Sequence, residues 1–230
     1  MEIVDHGLSW LWRTVVMIGL IGGVLVPPML LRLINQLKGD PSMLGWRIAL
    51  VGLYFIVFGV VILAAASVTR HYTGEYQLKR LQRRDWGLIF GGYLVIIILE
   101  SGFEVVNRLF YHQTQTANNA AIENLMGGSQ LALWMMGLSA IFITPVVEEL
   151  VFRGALTNLF FKRTVFKILL SGLVFGSLHS SSTLPSFLIY VVMGLILATV
   201  YRCSGKIKAS IVLHFVINAA AISLMILQLT

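Results

Sequence analysis

Long apolar runs recur along this chain and are separated by short polar linkers. They cover roughly residues 12–34, 46–69, 86–107, 131–161, 166–180, 184–202 and 207–228. A helix needs about 20 apolar residues to cross a hydrocarbon core of about 30 Å. Helices also satisfy their own backbone hydrogen bonds in lipid. The pattern therefore predicts an all-α, polytopic membrane helical bundle of about seven transmembrane helices, arranged as a single integral membrane domain over residues 1–230.

Composition supports the same interpretation. The chain is 57% hydrophobic and 12% charged, whereas soluble domains are about 25% charged. One cysteine, Cys203, excludes an internal disulfide and a cysteine-based metal cluster. The basic residues behind the net charge of +7 lie mainly in short linkers and do not form a nucleic-acid-binding face. We therefore expect membrane lipids, and no nucleic acid, among the partners.

The linker charges predict an orientation. Residues 70–85, 162–167 and 202–208 are rich in Lys and Arg, whereas 109–130 and 180–184 carry none. Cytoplasmic loops carry an excess of Lys and Arg, so the three basic linkers are expected inside, with an inner N-terminus. Basic residues in the first linker (Arg32, Lys38 and Arg47) do not fit this scheme. The expected location is a bacterial cell membrane, with a site that opens toward the cytoplasmic side.

Two adjacent glutamates, Glu148 and Glu149, interrupt the fourth apolar run. A charged side chain such as Asp at the centre of a membrane helix costs about 2.5–3.5 kcal/mol on insertion scales, so such residues mark functional sites. Glu149 and Arg153 have the i,i+4 spacing of a helical ion pair. Glu148 has no basic residue three or four positions away. We therefore expect Glu149 to pair with Arg153 and Glu148 to face a cavity.

Two later apolar runs carry His179 and the pair His214 and Asn218. At about 1.5 Å per helical residue from the basic linkers, these side chains reach a depth similar to that of Glu148. Glu148 and His179 are suited to hold and deprotonate a water. His214 and Asn218 lie on one helical face and could donate to a developing oxyanion. The residues predict a membrane-embedded hydrolase.

Three motifs carry a resemblance to a known family: Glu-Glu-x-x-x-Arg-Gly at 148–154, Phe-x-x-x-His at 175–179 and His-x-x-x-Asn at 214–218. Over residues 131–225 the chain resembles the CPBP family, the CAAX-type prenyl endopeptidases and bacteriocin-processing or immunity (Abi) proteins. Residues 1–110 are the variable N-terminal helices. The resemblance implies an intramembrane protease in which Glu149 and Arg153 shape the site. It also implies the same catalytic roles for Glu148, His179, His214 and Asn218.

The resemblance leaves two mechanisms open. One uses the glutamate without a metal, and the other uses zinc held by Glu148, His179 and His214. We favour the absence of a cofactor, because the chain has no His-Glu-x-x-His motif and these ligands would come from three separate helices. The expected substrate is a peptide or a membrane-associated protein. The expected role is peptide processing, bacteriocin self-immunity or control of a membrane sensor.

Other interpretations of the polar residues remain open. The same cluster could serve a non-catalytic membrane interaction or immunity protein that binds a partner. It could also relay protons or ions in a transporter, although no inverted repeat is visible. Serines flank His179 at positions 177 and 180–182, where we expect packing and loop roles in preference to a nucleophile. Glu100 in the third run could line the same cavity, although a structural role is expected for it.

Overall fold

The structure, a computed structural model, describes residues 2–74 and 79–229, with side chains described from residue 9 onward. This part of the chain folds into helices and contains no strand, which confirms the all-α prediction. The α-helices are α1 (Glu2–Gln36), α2 (Leu44–Thr73), α3 (Arg83–Tyr111), α4 (Ala117–Met126), α5 (Gln130–Leu138), α6 (Thr144–Glu148), α7 (Thr157–Phe160), α8 (Thr164–Leu178), α9 (Leu184–Ser204) and α10 (Ile207–Leu229). A short 3₁₀ turn, Pro41–Met43, precedes α2.

The predicted spans are present with one difference in length. Six helical stretches in the described residues are long and apolar enough to cross a membrane. The fifth predicted span is α8, which has only 15 residues and is shorter than the roughly 20 that a full crossing needs. It ends immediately before His179. The helix α4 lies in the region 109–130, which the sequence pattern presents as a linker.

The fourth span, Gln130–Phe160, is continuous but is not a regular α-helix. Two π-helical segments, Ser139–Ile143 and Glu149–Leu156, interrupt it. The first precedes Pro145, whose ring nitrogen carries no N–H and cannot continue the α-helical hydrogen bonds. Such π segments are frequent at functional sites. The two glutamates therefore lie at the start of the second irregular turn.

The three basic linkers meet at one end of the bundle, which we call the basic end. Lys206 Nζ contacts Asp85 Oδ2 at the start of α3, at 2.6 Å. Lys167 and Arg202 both donate to Asn158 Oδ1, at 2.8 and 3.2 Å. Arg13 near the start of α1 donates to the carbonyl of residue 159, at 2.9 Å. The expectation that these linkers share one side of the bundle is therefore met.

The linkers between the other helices lie at the opposite end of the bundle, which we call the polar end. Asn35 near the end of α1 donates to the carbonyl of Leu125 at 3.0 Å, and Ser129 donates to Asn35 Oδ1 at 3.0 Å. Ser182 in the α8–α9 loop donates to Gln113 Oε1 at 2.8 Å. The first linker lies here too. Arg32, Lys38 and Arg47, the basic residues that did not fit the predicted orientation, are therefore remote from the basic end.

Glycines allow α8 and α9 to pack with their backbones in contact. A Cβ added to Gly176 would stand 2.9 Å from the backbone nitrogen of Val191, and one added to Gly194 would stand 2.9 Å from the Cα of Gly172. Small residues at such positions permit close helix packing in membranes. This close packing brings the end of α8, and with it His179, against the side chain of Tyr190 on α9.

Candidate active site

A fully buried ion pair forms the base of the site. Arg153 Nη1 lies 3.0 Å from Glu149 Oε1, and both side chains are inaccessible to solvent. Arg153 Nη2 donates to the carbonyl of Gly194 at 3.2 Å, and its guanidinium lies 4.5 Å from the ring centroid of Phe175. Buried charges of this kind are stable only when they are paired and hydrogen-bonded. The ion pair expected from the i,i+4 spacing is present.

His214 lies between the two glutamates. Its Nδ1 is 2.9 Å from Glu149 Oε1, and its Nε2 is 3.7 Å from Glu148 Oε2. Because a carboxylate only accepts, the Nδ1 atom carries the proton of the shorter contact. Glu149 therefore orients the ring and directs the second nitrogen toward Glu148. The π-helical segment that begins at Glu149 allows the neighbouring carboxylates of Glu148 and Glu149 to approach the same imidazole, that of His214.

His179 is held by a backbone carbonyl and two aromatic rings. Its Nδ1 lies 2.7 Å from the carbonyl oxygen of Phe175. Its ring lies 4.5 Å from that of Tyr190, nearly parallel at 15°, and 4.4 Å from that of Phe175. A carbonyl accepts only, so Nδ1 is the protonated nitrogen and a neutral ring has its lone pair on Nε2. The arrangement fixes both the tautomer and the plane of the ring.

Asn218 makes a contact that the sequence did not suggest. Its Nδ2 donates to the carbonyl of Ala140 at 2.9 Å. The N–H of Thr144 is already used by the carbonyl of Ser139, five residues earlier, and Pro145 has no N–H. Asn218 therefore satisfies a carbonyl that the proline leaves without a helical donor. Because one N–H of this amide is used by Ala140, a single N–H remains to donate to an oxyanion, the role expected for Asn218 from the sequence.

One cavity of about 900 Å³ brings the predicted residues together. Glu148, His179, His214 and Asn218 all line it, and Glu148 is only 8% exposed. Glu149 and Arg153 lie behind this wall and are fully buried. The wall also contains Glu100, as the sequence allowed, and the aromatic side chains of Tyr54 and Tyr190.

The cavity extends toward the polar end of the bundle. Its lining includes Gln115, Asn118 and Glu123 around α4, and Gln228 near the end of α10. No described residue of the three basic linkers lines it. The linker charges predicted a site that opens on the side of the basic linkers, whereas the structure places the cavity toward the opposite end. Counting residues along a helix gives the depth of a side chain, but it does not show toward which end the surrounding space opens.

Several residues of the site were not predicted from the sequence. Tyr190 stacks on His179, and its hydroxyl lies 2.7 Å from Thr116 Oγ1. Tyr54 bonds to the buried hydroxyl of Ser139 in the first π segment, at 2.5 Å. A tyrosine in an apolar run is a weak signal, because tyrosines also lie at membrane interfaces. Of the serines beside His179, Ser177 and Ser181 donate to backbone carbonyls, whereas Ser180 lines the cavity.

Glu148, His179 and His214 carry the types of donor atom that bind zinc. Both imidazoles hold their Nδ1 atoms on oxygen acceptors, the pattern that orients histidine ligands of zinc. Within residues 2–74 and 79–229, however, no three His, Cys, Asp or Glu side chains are placed so that they could hold one metal ion. The residues as arranged do not fit a three-ligand zinc site.

The fold and the site define a helical integral membrane protein with carboxylate, imidazole and amide groups around one cavity. Residues 130–220 match the family model described as type II CAAX prenyl endopeptidase Rce1-like. The match confirms the resemblance over the segment that carries all three motifs, which is less than half of the chain. It supports intramembrane endopeptidase function in general. Neither the curated proteins nor the solved structures gave a match.

Proposed function

We propose that this protein is an intramembrane endopeptidase that hydrolyses a peptide bond in a membrane-associated peptide or protein. The observation that carries the proposal is the shared cavity, in which the buried Glu148 faces His214 across 3.7 Å and His179 and Asn218 complete the wall. Ionisable groups inside a membrane face cavities and mark functional pathways. The family match supports the reaction class.

In the proposed reaction Glu148 is the general base. It takes a proton from a water whose oxygen forms a bond to the carbonyl carbon of the substrate. The resulting tetrahedral intermediate collapses as the carbon–nitrogen bond breaks, and Glu148 returns the proton to the leaving nitrogen. A positioned general acid and base contributes about 10²–10⁴-fold to such a reaction.

The other groups have roles that follow from their hydrogen bonds. His179 has its Nε2 lone pair available to accept a hydrogen from the attacking water. His214 as an imidazolium would donate to Glu149 through Nδ1 and to the oxyanion through Nε2. Asn218 adds the one N–H that Ala140 does not use. Donors aimed at a developing oxyanion are often the largest catalytic contribution.

The proposal is tested by cleavage of a peptide library by purified protein in detergent. Glu148→Gln removes the base with little change in volume, and we expect a loss of about 10²–10⁴-fold in cleavage rate. Asp40→Asn is the matched control, because Asp40 is an exposed carboxylate in the first linker and Asn keeps its capping ability. Loss of cleavage in the control, or full cleavage by Glu148→Gln, would contradict the proposal.

The same preparation tests the proposed absence of a cofactor. We propose that the glutamate acts without zinc, because the three candidate ligands are not placed around one ion. Elemental analysis of active protein is expected to find far less than one zinc per chain, with activity retained after chelation. One zinc per chain together with loss of activity on chelation would favour the metalloprotease mechanism.

The biological role remains within the classes that the family suggests. We propose peptide processing, bacteriocin self-immunity or control of a membrane sensor, with a peptide or a membrane-associated protein as partner. If a cellular role of this kind survived Glu148→Gln, His179→Ala and His214→Ala, the non-catalytic interaction protein would be the correct interpretation.

A further inference from the structure

We infer that the cavity opens at the extracytoplasmic face of the membrane, so that its substrate is a peptide segment exposed on that side. The choice of substrate rests on the proposed function, whereas the direction of the opening rests on charge and geometry alone. Two independent observations support this direction: the distribution of basic residues between the two ends, and the residues that line the cavity.

The two ends of the bundle differ strongly in basic charge. Of the 17 Lys and Arg residues, Arg153 lies buried between the ends and the others belong to one end or the other. Twelve lie at the basic end: Arg13, Arg70, Lys79, Arg80, Arg83, Arg84, Lys162, Arg163, Lys167, Arg202, Lys206 and Lys208. Four lie toward the polar end: Arg32, Lys38, Arg47 and Arg108. Such an asymmetry in short loops places the basic end in the cytoplasm.

The bundle is closed between the catalytic groups and the basic end. The turns that follow Glu149 toward that end carry Ala155, Leu156 and Leu159, each at most 3% exposed. On α9, Leu197 and Tyr201 are at most 4% exposed. Packed apolar side chains of this kind leave no room for an extended peptide. A route from the cytoplasm would therefore require these helices to separate.

At the polar end, the cavity is lined by exposed polar residues. Thr114 and Gln115 line the cavity and are exposed, and they lie in the loop between α3 and α4. Gln115 Nε2 contacts Glu123 Oε2 at 3.3 Å, which places amide and carboxylate groups at the entrance. Polar side chains and loop backbone can hydrogen-bond an extended peptide as it enters. These features make the polar end the entrance.

Cysteine accessibility tests the direction without any need for activity. In a Cys203→Ser background, Thr114→Cys reports on the entrance and Lys162→Cys on the basic end, and both positions are exposed loop residues. A membrane-impermeant maleimide is added to spheroplasts of a bacterial host. We expect labelling of Thr114→Cys in intact spheroplasts, and of Lys162→Cys only after permeabilisation. The reverse pattern would overturn the inference, as would a Thr114→Cys that stays unlabelled after permeabilisation.

A second arm links the entrance to the substrate. After labelling with a bulky maleimide, Thr114→Cys is expected to cleave peptide at least tenfold more slowly than before labelling. Labelled Lys162→Cys is expected to keep the cleavage rate that it has before labelling. Equal rates in the two labelled variants would show that substrate does not enter beside Thr114. If neither unlabelled variant nor the parent cleaves any peptide, the proposed function fails and the labelling pattern still decides the direction.

Discussion

At the scale of single residues, the site depends on a proline that leaves one carbonyl without a donor. The carbonyl of Ala140 receives its hydrogen bond from Asn218, because Thr144 donates elsewhere and Pro145 has nothing to donate. A buried carbonyl without a partner costs about 1–3 kcal/mol. Asn218 therefore couples α10 to the irregular turn that leads into Glu148, in addition to any contact with substrate.

This coupling predicts a specific rescue. Asn218→Ala should destabilise the protein by about 1–3 kcal/mol by leaving the Ala140 carbonyl unpaired. Pro145→Ala restores a backbone N–H, so Asn218→Ala should cost clearly less in that background, with a coupling energy of about 1 kcal/mol or more. Thermal unfolding in detergent measures the four proteins of the cycle. Equal costs in both backgrounds would show that Asn218 does not act on the carbonyl that the proline exposes.

Residue types and their spacing predicted part of the geometry of the site. The spacing of Glu149 and Arg153 predicted their ion pair, and the isolation of Glu148 from basic residues predicted a position on the cavity wall. The spacing of His214 and Asn218 correctly placed both on one face. It did not reveal that Glu149 would hold the imidazole or that Asn218 would bind a backbone carbonyl. Those contacts depend on π-helical turns, which hydrophobic periodicity does not show.

At the scale of helices, the short α8 positions one residue of the site, His179. It ends inside the bundle, and its last turn presents the Phe175 carbonyl to His179. The sequence predicted a span here because the apolar run continues to the histidine. It could not show that the chain turns back at His179. The position of that turn depends on the packing of α8 against α9.

The packing of α8 on α9 can be tested at Gly176. A Cβ there would lie 2.9 Å from the Val191 nitrogen and 3.1 Å from its Cα, and these backbone atoms cannot swing aside. We expect Gly176→Ala to destabilise the protein by about 1–3 kcal/mol, as overpacking does. Gly91→Ala is the matched control, because nothing lies within 4 Å of its added Cβ. Unfolding midpoints that fall equally in both variants would contradict this account of the interface.

At the scale of the whole molecule, the bundle is polarised between a basic end that is closed and a polar end that contains the cavity mouth. The grouping of the linkers was visible in the sequence, because charge patterns follow the spans directly. The direction of the cavity was not, since it depends on how α4, α3 and α10 are arranged around the same depth. The sequence presents α4 as part of a polar linker, although it forms one wall of the mouth.

In the proposed mechanism, Glu148 and His214 act together on one water and one peptide bond. The measurement that tests it most directly is kcat/KM for a cleaved peptide in Glu148→Gln, His214→Ala and the double variant. Groups that act as a unit lose most of their effect when either is removed. We therefore predict that the double variant loses about as much as either single variant. Losses that multiply, or a single variant with the turnover of the unmodified protein, would contradict it.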